Sequence, residues 1–176
     1  VFYDPLNRVV GQIANWTGTM NSLAELEANC FSLDPLRETD ICTTTAYDPV
    51  GNVMLTTDPK GRQTRTYYND VNQVTTVVEN WQTGFDPANC VFAPDNMSDS
   101  NVCTQYGYDT FGRQNRMTNA LGQTVLTVYD FLNRPYLAVA NWDGVTPIDD
   151  ASDCFFPPQT SDVNVCNVTY YDGLGR

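Results

Sequence analysis

The 176-residue chain carries nine basic and 21 acidic residues, no histidine, 41% apolar and 12% aromatic residues, and a formal net charge of −12. A field of that sign repels phosphate backbones and anionic lipid surfaces, so neither nucleic acid nor a membrane is expected as a partner. No apolar run reaches the length of about 18 residues needed to span a bilayer, and without histidine the usual Ser-His and Cys-His nucleophiles are ruled out.

The chain opens on a turn, Tyr3-Asp4-Pro5-Leu6-Asn7-Arg8, in which Asp-Pro favours the reversal and Asn7 tolerates a left-handed backbone. The next eight residues, V-V-G-Q-I-A-N-W, are rich in β-branched side chains and predict a strand ending at Trp16. V-T-T-V-V-E-N-W ending at Trp81 and P-Y-L-A-V-A-N-W ending at Trp142 predict two equivalents. Alternation puts Val10 and Trp16 on one face and Ile13 on the other, which leaves open which face is the core.

Each tryptophan is followed by a stretch of variable length, 14 residues to Cys30, nine to Cys90 and 12 to Cys154, which marks a surface loop. Within the first, Asn21 to Ala28 sets a polar cap before helix formers and predicts one or two helical turns. Asp86-Pro87-Ala88-Asn89 predicts a single capped turn in the second. The next cysteine (Cys42, Cys103 or Cys166) begins a strand, and from there strands and tight turns alternate. In D-P-V-G-N and D-P-K-G-R, proline fixes one dihedral and glycine supplies a positive φ, so threonine- and tyrosine-rich hairpins are expected.

These landmarks recur. Trp16, Trp81 and Trp142 are separated by 65 and 61 residues, Cys42, Cys103 and Cys166 by 61 and 63, and Tyr47, Tyr108 and Tyr171 by 61 and 63. A smaller step of 21 residues separates Tyr47 from Tyr68 and Tyr108 from Tyr129. A repeat architecture follows, with super-repeats at 1–67, 68–128 and 129–176, the last truncated. A lone hairpin is marginal in water, so successive units must stack. The array begins at a turn and ends within a super-repeat without polar caps, so the expectation is either a slice of a longer repetitive protein or neighbouring copies that supply the missing strands. Val1 is not a natural start, which points to a removed upstream segment.

The six cysteines come in pairs 12, 13 and 12 residues apart: Cys30 and Cys42, Cys90 and Cys103, Cys154 and Cys166. None has the short spacing of a zinc site. Six cysteines permit 15 connectivities, and a repeating chain most simply repeats its bond, so three disulfides within the super-repeats are predicted. Each closes a loop worth roughly 3 kcal/mol in the chain-entropy model and points to an oxidising, extracellular or cell-surface setting.

Tyr47-Asp48-x-x-Gly51-Asn52, Thr57-Asp58-x-x-Gly61-Arg62, Tyr108-Asp109-x-x-Gly112-Arg113 and Tyr171-Asp172-x-x-Gly175-Arg176 resemble the YD repeats of the Rhs, insecticidal toxin complex and teneurin proteins. Tyr3-Asp4, Tyr129-Asp130 and Gly122 fall at further copies, while Asn69 and Asn119 replace the aspartate. The resemblance covers most of the chain outside the cysteine loops. It implies an all-β fold of repetitive β-hairpins winding as a spiral sheet, a solenoid or shell with short disulfide-closed loops, and tyrosines packed along it. Some members of that family cleave themselves at paired D-P-x-G motifs. Here Asp48-Pro49-Val50-Gly51 and Asp58-Pro59-Lys60-Gly61 are ten residues apart in ordinary repeat turns, so that activity is not expected.

The adjacent acids Asp149 and Asp150, and the pair Asp48 and Asp58, are read as loop and turn residues rather than a catalytic pair, and no catalytic, cofactor or metal residues are assigned. Acidic loops without a calcium motif are expected to be solvated. Asn15, Asn96 and Asn167 fit the glycosylation acceptor pattern at unmatched places in the three super-repeats. A ladder of Trp16, Trp81 and Trp142 is expected to pack beneath the cysteine loops; stacking on sugars is the other reading. The expected function is structural: an extracellular filament, tube or sheath, partnered by further copies of itself or by adjoining repeats of a longer chain. The alternatives are a wall segment of a toxin-encapsulating or adhesion-type shell and a carbohydrate-binding surface.

Overall fold

Short runs of threonine, valine and tyrosine between residues that reverse the backbone give a meander. A computed structural model describes residues 1–18, 20–29, 31, 38–92, 98–155 and 162–175. Its elements are β1 (Phe2–Tyr3), β2 (Val9–Ala14), α1 (Leu23–Asn29), β3 (Ile41–Tyr47), β4 (Val53–Thr57), β5 (Gln63–Tyr68), β6 (Val74–Glu79), β7 (Val102–Tyr108), β8 (Gln114–Thr118), β9 (Thr124–Tyr129), β10 (Pro135–Ala140) and β11 (Val165–Val168). Single 3₁₀ turns lie at Pro87–Asn89 and Ala151–Phe155. The fold is all-β and antiparallel, with strand order equal to chain order.

The chain divides into two compact units, Val1–Cys90 with Ser98–Val102, and Val91–Met97 with Cys103–Arg176. Each has a core where a cysteine loop covers one sheet face. In the first, Met20, Leu26 of α1 and Cys42 are buried together, flanked by Phe2, Ile13 and Phe31. In the second, Leu126, Leu137 and Val139 are buried with Ile148 and Cys154 of the loop. Ile13 and Val139 occupy matching places on β2 and β10, so the face left open by sequence alternation is settled: it is the face opposite Val10.

Loop and strand compensate for each other. Gly11 stands where β10 has Leu137, seven residues beyond the turn aspartate in each case. A Cβ on Gly11 would lie 3.1 Å from both Leu23 Cδ1 and Leu26 Cδ1. The longer first loop therefore lays a helix onto a bare strand, and a shorter loop meets a strand that carries its own leucine. Ser22 starts that helix as a capping box: its Oγ accepts the Glu25 N–H, and Glu25 Oε2 accepts the N–H groups of Asn21 and Ser22.

The strands expected to run to the tryptophans stop two residues earlier, at Ala14, Glu79 and Ala140. The cause is the next residue in each case: Asn15, Asn80 and Asn141 have φ of 52°, 49° and 50°, a left-handed backbone that no ladder accommodates.

Candidate functional site: a turn edge and a loop edge

The residues of the repeat motif gather at the ends of the strands. In each turn the first residue is Asp or Asn and the fourth has a positive φ, from 61° at Asn7 to 101° at Gly51, which only glycine or asparagine adopts readily. The leading side chain organises the loop. Asp109 Oδ1 accepts the backbone N–H groups of Phe111 and Arg113, and its Oδ2 accepts Arg113 Nε at 2.6 Å. Asp4 with Arg8, Asp58 with Arg62 and Asp130 with Arg134 repeat this arrangement at 2.7 to 2.8 Å. Asp172 Oδ1 accepts the Leu174 N–H in the same way, and Gly175 N–H bonds the Asp172 carbonyl.

The partner five positions into the turn changes with the leader. Asp48 takes Asn52 Nδ2, while Asn69 donates Nδ2 to Gln73 Oε1 at 2.8 Å and Asn119 to Gln123 Oε1 at 2.9 Å. The two asparagine copies that depart from the motif thus keep its geometry by exchanging a charged pair for an amide pair. For Asp109 and Asp130 partial burial pushes the carboxyl pKa up, but hydrogen bonds and charge from Arg113 and Arg134 outweigh it and the net direction is down. The Arg8 backbone N–H is the chief cause of the same lowering at Asp4.

Tyrosine-led turns differ from threonine-led ones. Where Tyr3, Tyr47, Tyr68, Tyr108 or Tyr129 precedes the turn, the register shifts by one residue next to it; where Thr57 or Thr118 does, the ladder runs straight. Because strands alternate in direction, within each unit the tyrosine-led turns lie at one end of the strands, and the threonine-led turn shares the other end with the cysteine loop.

Within each unit the turns along the tyrosine edge are tied to one another. Tyr47 donates its hydroxyl hydrogen to the Val9 carbonyl at 2.9 Å and Tyr68 to Val53 at 2.8 Å; in the second unit Tyr129 donates to Gln114 at 2.7 Å and Tyr171 to Pro135 at 2.8 Å. Arginines of the earlier turn stack on these rings, Arg8 on Tyr47 at 4.4 Å, Arg113 on Tyr129 at 4.6 Å and Arg134 on Tyr171 at 4.2 Å. Arg113 Nη1 also donates to Asn133 Oδ1 at 2.8 Å, and Asn52 Nδ2 to Asn72 Oδ1 at 2.9 Å.

The loop edge has its own recurring clamp. The N–H groups of Asp40, Asn101 and Asn164 bond the carbonyls of Asn15, Asn80 and Asn141 at 3.0 to 3.1 Å. The side-chain amides of those three asparagines reach the carbonyls of Glu38, Asp99 and Asp162 at 2.7 to 2.9 Å. Asn15, read as a glycosylation acceptor, therefore has its amide committed to the loop base; Asn167 is exposed on β11, and Asn96 lies outside the described residues. Cys154 and Cys166 form a disulfide with Cα atoms 5.9 Å apart, and Cys42, Cys90 and Cys103 are disulfide-bonded as well. Cys30 and Arg176 lie outside the described residues.

Two of the three tryptophans close the threonine-led hairpins. Trp81 N–H bonds the Gln63 carbonyl at 2.8 Å and Trp142 N–H the Thr124 carbonyl at 2.9 Å, while their indoles donate to Phe85 and Thr146 carbonyls. Trp142 packs on the second core, whereas Trp16 is 55% exposed.

The acids considered as pairs are not brought together as a reactive site. Asp48 and Asp58 sit in turns at opposite ends of β4, and the N–H groups of Asp149 and Asp150 are both capped by Asp153 Oδ2. A groove of about 680 Å³ in the first unit is lined by Leu23, Glu27, Thr44, Leu55 and Gln63, with the Asp4–Arg8 pair at its margin. Among the described residues no three acids or cysteines gather as a metal site.

No protein-family model matches the chain, and no curated protein matches it. Solved structures do. A Photorhabdus luminescens Tc holotoxin pore matches 57% of this chain and 4% of its own at 15% identity with a TM-score of 0.41. The TcdB2-TccC3-Cdc42 and TcdB2-TccC3 crystal structures each match 78% of this chain and 6% of theirs at 16% identity with a TM-score of 0.48. The chain thus spans a small fraction of the length of these neighbours.

Proposed function

We propose that this chain is a non-catalytic, extracellular scaffold: a run of YD-repeat sheet that grows hairpin by hairpin and forms part of a filament, tube or sheath. The observation that carries this reading is the tyrosine ladder. Tyrosine, aspartate and arginine, the side chains best suited to bind or react, are engaged in closing each turn and fastening it to its neighbour. A binding module or enzyme would converge such groups on a cavity; here they are distributed along an edge. Disulfide bonding supports an oxidising compartment.

Electron microscopy of the native material tests the reading. Long uniform fibres or tubes, with an axial repeat of one or a few super-repeats, are the expected result. Discrete hollow particles with contents would overturn it in favour of a shell wall.

A further inference from the structure

The tyrosine edge also carries a row of exposed apolar tips; the Phe111 ring lies 5.2 Å from the Arg113 guanidinium. The third residue of each described tyrosine-led turn is large, apolar and solvent-facing: Leu6 is 72%, Val50 74% and Val71 70% exposed in the first unit, and Phe111 81%, Leu132 57% and Leu174 78% in the second. Phe131, beside Leu132, is 91% exposed. Turn tips ordinarily take Gly, Asn, Asp or Ser, so the repeated choice of Leu, Val or Phe runs against local preference. Single exposed apolar residues need no explanation, but a row of them is an interaction surface. Successive tips within each unit stand two strands apart, about 9.5 Å.

Charge points to the occupant. Three of the aspartates beneath the tips are offset by their own arginines, in the pairs Asp4–Arg8, Asp109–Arg113 and Asp130–Arg134, while Asp48 is held by the neutral Asn52 and Asp70 is exposed. The loop edge instead collects exposed acids such as Glu25, Glu27, Asp86, Asp99, Asp149 and Asp150. Two copies of a chain with net charge −12 repel each other loop edge to loop edge, and repel less where three aspartates are paired with arginines and the tips are apolar. A row with a fixed two-strand spacing is also commensurate with an identical row. We infer that the tyrosine-turn edge of each unit is a lateral contact through which a second copy of this chain packs, apolar tip against apolar tip. The inference rests on the scaffold reading and names its partner.

The test is sedimentation velocity of the chain over a range of concentrations, beside a variant carrying Leu6→Ser, Val50→Ser, Val71→Ser, Phe111→Ser, Leu132→Ser and Leu174→Ser. A second variant carries only the first three changes, and circular dichroism checks that both keep the sheet. The expected result is self-association that survives raised salt, as an apolar contact does. It weakens by at least roughly tenfold in the full variant and by less in the partial one. Glu25→Gln with Asp149→Asn strengthens it. A chain that sediments as a monomer throughout overturns the contact. So does a full variant that associates like the parent, and so does a chain that instead cosediments with phosphatidylcholine vesicles. Fibres in the native material together with an unaffected full variant would remove the contact and leave the scaffold standing.

Discussion

The hairpin β4–β5 in the first unit and its counterpart β8–β9 in the second have the same turn, register and tryptophan closure, yet their faces are filled oppositely. Leu55 pairs with Arg65 in one, Arg116 with Leu126 in the other. Arg65 sits 5.5 Å from the Tyr67 ring and 5.4 Å from the Trp81 ring, with its Nε buried and lacking a hydrogen-bond partner. Leu126 is buried in the second core, with Val128 where the first unit has Tyr67. Arg116 is exposed and lies over Gly107, where a Cβ would come within 2.9 Å of its Nε; Leu55 faces Ala46 instead. The edges define the hairpin, and the face between them tolerates exchange of a leucine for an arginine.

The sharpest way to break that comparison is to force one filling on the other frame. Leu126→Arg buries a charge under Ile148 and Cys154 and is expected to cost about 3–5 kcal/mol by urea denaturation; a cost near zero would mean that this face accepts an arginine as readily as it does at Arg65. The reverse change, Arg65→Leu, removes an orphaned donor and is expected to stabilise by about 1 kcal/mol, since that penalty exceeds the two ring contacts it sacrifices. Marked destabilisation would show that Arg65 has a partner that matters.

Smaller effects probe the edges. Asn69→Asp and Gln73→Arg should each destabilise alone and recover together, with a coupling of about 1 kcal/mol in a double-mutant cycle; additive losses would sever the link between leader and partner. Tyr129→Phe removes one ladder bond to Gln114 and should lower stability by about 0.5–1 kcal/mol in the same assay. Titration should matter least near neutrality. The turn aspartates Asp4, Asp48, Asp58, Asp109 and Asp130 have lowered pKa values in the folded chain. Their contribution is present above the unfolded carboxylate pKa of about 3.9 and is lost as pH falls through the lower folded values. A thermal midpoint flat from about pH 7 to 5 and falling only in stronger acid is expected; a fall already near pH 6 would contradict it.

The turns were legible because their chemistry is local: Asp-Pro, then Gly or Asn two residues later, specifies the reversal without reference to the rest of the chain. The agreement of each leader with its partner, Asp4 with Arg8 but Asn69 with Gln73, is also written in the sequence, yet reading each motif copy as a departure from a consensus hides it. Other features depend on what lies across the sheet. The exchange of Arg65 and Leu126 emerges only once strands are paired, and the filling of the first core depends on its loop, since α1 fills what Gly11 leaves empty. The strand ends at Asn15, Asn80 and Asn141 were misplaced because asparagine there is a backbone-conformation signal, which an apolar count ignores. The tips Phe111 and Leu174 are plain in the sequence, but only their exposure gives them meaning.

The tyrosine ladder also points one way along the chain. Each hydroxyl is donated to a carbonyl that precedes it in sequence, only 15 residues back for Tyr68 and for Tyr129. A chain emerging from its N-terminus finds every acceptor already in place when the next tyrosine arrives, so assembly can advance like a zip fastener whose teeth engage only with those already closed. Such order keeps contacts local and folding sequential, and it means that a growing sheet carries its template at its newest end.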